Sequence, residues 1–136
     1  MFNIVLFPID QSREAREAAE VVANVVQKYG SRLVLLSVLE PADSEEPSSA
    51  DVMASPDAVA QLLNNAQSLF TEQGIRAESI EREGKPAFVI CDVADEIGAN
   101  LIVMGCRGLG LTEEGVSDSV TNRVINLSPC PVLVVP

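Results

Sequence analysis

Gly105-Cys106-Arg107-Gly108 follows directly on the apolar run Leu101-Ile102-Val103-Met104, and this junction is where the chain could do chemistry. A glycine-bearing turn at a strand end leaves backbone N–H groups pointing outward, and a nearby helix start adds more of them. After an intervening loop, Ser117-Asp118-Ser119-Val120 opens such a helix. Together these segments make a cradle for an anion, phosphate above all. Asp118 stands where that geometry favours glycine. A carboxylate ~5 Å from a phosphate charge costs roughly 1 kcal/mol in water-like surroundings and ~3 kcal/mol at an effective dielectric near 20. Glu113 and Glu114 add to the unfavourable field. Asp118 has two readings. As a helix N-cap it occupies the donors a phosphate would use; as an oxygen ligand of Mg²⁺, together with Asp10, it helps to hold a metal-bound phosphate.

The elements that must position this cradle are legible from periodicity. Residues 3–9 form an apolar run ending at Pro8-Ile9-Asp10, the pattern of a strand buried on both faces. Ala15, Ala18, Ala19, Val22, Val25, Val26 and Tyr29 follow at helical spacing, with Ser12 as N-cap and Gly30 as stop. Leu33 to Leu39 is a second buried strand. Residues 40–57, rich in proline, serine and acidic side chains, read as a long loop, either a solvated one or a lid over the site. A second helix carries Val59, Leu62, Leu63, Ala66, Leu69 and Phe70 and stops at Gly74. Ile75 to Arg82 alternates as a half-exposed edge strand does. Pro86 suits the first position of a third helix with Ala87, Ile90, Cys91, Ala94 and Ile97 inward. A fourth strand at 101–104, a helix at 117–127 and a fifth strand at 131–136 complete one α/β domain over 1–136. Strictly alternating strands and helices predict an open five-stranded parallel sheet, Rossmann-like, with helices on both faces. Ligands of such sheets sit beyond the carboxyl ends of the strands. Asp10, Val38 to Glu40 and Met104 to Gly108 are therefore the candidates.

Composition excludes much else. The 136 residues contain no histidine, which removes Ser-His-Asp and Cys-His catalysis and histidine-based metal sites. Cys91, Cys106 and Cys130 are odd in number and lack paired spacing, so neither a disulfide framework nor a zinc site is supported; Cys91 and Cys130 read as core residues. A net charge of −11 with scattered basic residues opposes nucleic acid and anionic membranes. The amino-terminal run is too short for a signal peptide, which points to the cytoplasm. The first strand–helix turn has no glycine, against a dinucleotide fingerprint, and no P-loop is present.

Pro8-Ile9-Asp10, the Leu-Leu-Ser-Val-Leu-Glu-Pro stretch ending at Pro41, Val103-Met104-Gly105-Cys106-Arg107-Gly108, and Ser119-Val120-Thr121 with Ser128-Pro129-Cys130-Pro131-Val132 resemble the universal stress protein family over essentially the whole chain. The resemblance implies a five-stranded parallel fold, a homodimer and, in many members, a site for ATP or another adenine nucleotide. That site uses G-x-x-G, nine residues, then Gly and Ser or Thr; here Gly105 and Gly108 match, Asp118 departs and Ser119 follows. By the same resemblance Asp10 lies near the ribose, Val38 packs on the adenine, and Ser119 and Val120 meet the phosphates. Pro8, Met104 and Arg107 complete the set, and Mg²⁺ would fall to Asp10 and Asp118. The implied function is a dimeric stress-response regulator that binds ATP, ADP or AMP. The alternative is a dimeric interaction module whose phosphate site Asp118 has closed. No catalytic residue is assigned; Asp10 orienting water and Arg107 stabilising charge would give weak ATP hydrolysis at most. The hydrophobic last strand leaves an edge that a second copy would pair, unless Pro131 and Pro136 simply protect it.

Overall fold

The computed structural model describes residues 2–9, 13–39, 56–105 and 120–135. Its elements are β1 (Ile4–Pro8), α1 (Arg13–Tyr29), β2 (Arg32–Leu39), α2 (Pro56–Glu72), β3 (Ala77–Glu83), α3 (Pro86–Ile97), β4 (Leu101–Gly105), α4 (Val120–Leu127) and β5 (Val132–Val135). The five strands form one sheet in the order β3-β2-β1-β4-β5, with every pairing parallel. The expected α/β architecture is therefore present. The chain starts in the middle, winds outward through β2 and β3, then crosses to the other side of β1 for β4 and β5. Strand order reverses between β1 and β4.

Alternation along each strand divides the core in two, because successive side chains of a strand point to opposite faces. Val5, Phe7, Leu33, Leu35, Leu101 and Val103 pack against α1 and α2, which supply Ala18, Val22, Val26, Leu63 and Phe70. Leu6, Val34, Leu36, Val38, Ile102 and Met104 face α3 and α4, which supply Ala87, Ile90, Val93, Ala94 and Val124. Phe7 and Phe70 meet edge to face with ring centroids 6.2 Å apart. Each such fully buried side chain stabilises the fold by about 1.5–3 kcal/mol.

The amino ends of the strands are pinned by side chains. Asn100 Oδ1 accepts the Ile4 N–H at 2.9 Å, and the Ser31 hydroxyl donates to the Phe2 carbonyl. Helix α3 ends on Gly98 in the left-handed conformation, where glycine carries no Cβ penalty. The predicted loop at 40–57 is too long by two residues. Helix α2 begins at Pro56, since proline's missing N–H would be an unbonded donor at a first helical position anyway. Residues 40–55 lie outside the described part of the structure. Cys91 is buried as expected, whereas Cys130 is only half-buried at the rim of the α3/α4 layer. Val93, fully buried on α3, belongs to the inward face beyond the residues that spacing suggested.

Candidate functional site

The site is built where the sheet opens between β1 and β4. Ile9 donates its N–H to the Leu36 carbonyl on β2 at 2.8 Å. Neighbouring backbone groups of a strand point to opposite sides, so the nitrogen of Pro8 faces β4. The β1–β4 register runs Val5↔Leu101 and Leu6↔Ile102, and the next bond of that ladder would be donated by residue 8 to Val103. Proline has no N–H to give. The β1–β2 ladder, by contrast, continues through Pro8↔Leu36, and β4–β5 continues to Gly105↔Val135. Pro8 thus ends the central ladder where strand order reverses, the position at which open α/β sheets hold ligands.

The side chains around that opening share one face. Pro8, Val38 and Met104 occupy the carboxyl ends of β1, β2 and β4 with the same parity, on the side of the sheet that faces α3 and α4. Val38 and Met104 are buried and Pro8 is half-exposed. The result is an apolar ledge on three adjacent strands, which suits a flat, weakly polar group.

Beside the ledge lies the start of α4. Thr121 is buried and its hydroxyl donates to the Gly105 carbonyl at 2.7 Å. This bond ties the first turn of α4 to the last residue of β4. Early N–H groups of a helix have no partner within the helix and carry the positive end of its dipole. Val120, the first residue of α4, is exposed there at 39%. An apolar ledge next to a helix amino terminus can hold a molecule with a flat apolar part and an anionic part.

Pro8, Val38, Met104, Gly105 and Val120, among the residues singled out by sequence, are therefore gathered at the carboxyl rim. Asp10, Arg107, Gly108, Asp118 and Ser119 lie outside the described residues, as do Ser12, Cys106, Glu113 and Glu114. Thr121 belongs to the Ser119-Val120-Thr121 motif. Its positioning role depends on a partner sixteen positions away, which no local pattern reveals. Burial pushes the thiols of Cys91 and Cys130 up from their ordinary values, with Asp92 adding to the effect at Cys91. Neither is poised as a thiolate nucleophile. Among the described residues no group of three or more acidic or cysteine side chains could hold a metal ion. Nor is any helix there long and apolar enough to cross a membrane.

Comparison with known proteins agrees with this layout. The sequence profile of the Universal stress protein family matches residues 1–136. A universal stress protein of Synechocystis sp. is 62% identical over 136 residues, which are 100% of this chain and 87% of that protein. The solved structure of UspA from Lactobacillus plantarum superposes with a TM-score of 0.80 at 25% identity, covering 99% of this chain and 98% of that one. An Arabidopsis thaliana protein of the same family, solved with AMP bound, superposes with a TM-score of 0.73 at 21% identity over 98% of this chain and 90% of its own. Sheet order, the opening beside Pro8 and a whole-length sequence match converge, and the chain belongs to the universal stress protein family.

Proposed function

We propose that this protein is a dimeric, cytoplasmic stress-response regulator that binds an adenine nucleotide at the carboxyl rim of its sheet. The observation that carries the reading is the ledge of Pro8, Val38 and Met104 beside the α4 amino terminus that Thr121 fastens to Gly105. The adenine rests on the ledge, and the phosphates turn toward Gly105 and Val120, where Arg107, Gly108 and Ser119 would join them. Asp10 would serve the ribose, and Asp10 and Asp118 would hold Mg²⁺ where it accompanies the nucleotide. AMP bound to the Arabidopsis relative supports the class of ligand. The role of this chain's residues is to bind and orient; no group is assigned to a chemical step. Isothermal titration with AMP, ADP and ATP, each with and without Mg²⁺, tests the reading. Binding of at least one is expected, and flat heats for all three at high protein concentration reject it.

Asp118 favours a second reading, in which the phosphate end is closed and the protein works as an interaction module. The substitution Asp118→Gly separates the two. A gain of about tenfold or more in ATP affinity, the size expected when a nearby like charge is removed, marks a site that the aspartate had closed.

Self-association through β5 belongs to the same proposal. β5 is a sheet edge, and Leu133 on it and Ile125 and Leu127 on neighbouring α4 are exposed apolar residues. A second copy pairing there would satisfy the strand's outer backbone groups and cover those side chains.

A further inference from the structure

The opposite edge of the sheet has a different character. β3 pairs only with β2, in the register Leu33↔Ala77 through Leu39↔Glu83. Gly84 donates its N–H to the Leu39 carbonyl, so the even-numbered residues of β3 turn their backbone toward β2. The N–H and C=O groups of Ala77, Ser79, Glu81 and Glu83 consequently point outward along the edge. One of them is already used in the way a strand partner would use it: Gln67 Nε2 donates to the Ala77 carbonyl at 2.9 Å. Among the described residues the outward row from Ser79 to Glu83 has no such cover, and all three of its side chains are exposed.

A groove of about 870 Å³ continues from this edge along α2, lined by Asn64, Gln67, Ser68, Thr71 and the start of β3 at Arg76 and Ala77. Glu72, Gly74 and Ile75 complete the lining, so amides and hydroxyls are mixed with one carboxylate and with apolar surface, which suits an extended chain that presents both polar and apolar side chains. The charge is one-sided. Glu81 and Glu83 stand two residues apart on the same face, whereas Arg32 is engaged with Glu78 and Arg82 with Glu96. Arg76, just ahead of β3, is the one basic residue among the described residues lining the groove, and Glu72 lines it too.

We infer that the β3 edge is a docking site for an extended, basic segment of a partner protein, which adds as a sixth strand. Main-chain hydrogen bonds to Ser79, Glu81 and Glu83 supply the pairing. Lysine or arginine at alternate positions of the segment meets Glu81 and Glu83, and the chain continues into the groove beside Gln67. A second copy of this chain is a poor occupant, because pairing two acidic β3 edges sets carboxylates against each other across the strands. The two edges are thus divided in their chemistry, one apolar and one acidic.

The test uses the isotopically labelled full-length chain and a fluorescent synthetic peptide alternating lysine and valine. Binding is expected, with amide exchange at Ser79, Glu81 and Glu83 slowed and exchange at Val132–Val135 unchanged. A peptide alternating glutamate and valine is expected not to bind. The surface double variant Glu81→Lys, Glu83→Lys should weaken the lysine peptide about tenfold or more, since two cross-strand attractions become repulsions. Glu81→Pro removes an outward N–H while leaving the β2 ladder intact, and should also abolish slowed exchange along the edge. The inference is overturned if the edge amides do not respond to the lysine peptide, if the glutamate peptide protects them equally, or if binding survives both variants. It is equally overturned if the peptide protects only another surface, the acidic row then serving to keep edges apart. None of these outcomes depends on nucleotide binding at the carboxyl rim.

Discussion

Two buried hydroxyls, one on β2 and one on α4, have opposite consequences. Ser37, fully buried on β2, has no hydrogen-bond partner for its Oγ among the described residues. Thr121, also buried, gives its proton to Gly105. A buried polar group without a partner costs about 1–3 kcal/mol, whereas a satisfied one contributes about 1 kcal/mol. Ser37→Ala is therefore expected to raise stability by about 1 kcal/mol and Thr121→Val to lower it by about as much, measured as shifts in the urea midpoint. Thr121→Val has a second signature, weaker nucleotide binding, because α4 loses its tie to β4. Gly84 is a third residue-scale case. Its φ is 144°, and an added Cβ would lie 2.9 Å from Val89 Cγ2. Gly84→Ala should cost about 1–3 kcal/mol, since both the backbone conformation and the space exclude the methyl group.

Among elements, β1 carries the most consequence. Its odd residues knit it to β2 and its even residues to β4, and Pro8 breaks the second ladder only. Pro8→Ala restores a donor opposite Val103. The expected result is a newly protected amide at residue 8, unchanged or slightly increased stability, and adenine-nucleotide affinity reduced severalfold as β1 and β4 draw together. Exchange measurements and titration on the same sample check both halves. The strand and helix segments were legible in the sequence because their apolar residues recur with period two or 3.6, a local signal. Val93, Pro56 as a helix start, and the parting of β1 from β4 were not. The last depends on register between strands almost a hundred residues apart, which periodicity does not encode. That Pro8, Val38, Met104 and Gly105 meet at the carboxyl rim was legible because topology sends strand ends to one side. Thr121 was missed as an anchor, since its partner is a backbone atom on another element.

At the scale of the whole molecule, the sheet ends differ in how they respond to solution conditions. Arg32 and Glu78 join β2 to β3 through two hydrogen bonds, the second at 2.8 Å. The hydrogen bond from Arg32 holds the Glu78 carboxyl below its usual range. A depressed carboxyl contributes stability that is present above its unfolded value and lost as pH falls through its folded value. The pair is exposed, so the effect is small and screened by salt. Urea midpoints from pH 7 to pH 3 should show a slight advantage over Glu78→Gln at neutral pH that vanishes on acidification. The β5 edge makes a larger claim. Leu133→Lys places a charge on the surface proposed for self-pairing and should turn a dimer into a monomer in light scattering, with the nucleotide site intact.

The parallel register has a practical side. Phe2 precedes β1 at one end of the sheet, while Val135 stands level with Gly105 at the other. A dye or affinity handle joined after β5 would hang over the carboxyl rim and compete with a nucleotide entering the site proposed there. The same handle joined ahead of Phe2 stands a strand's length away, roughly 16 Å for five residues, and leaves that rim clear.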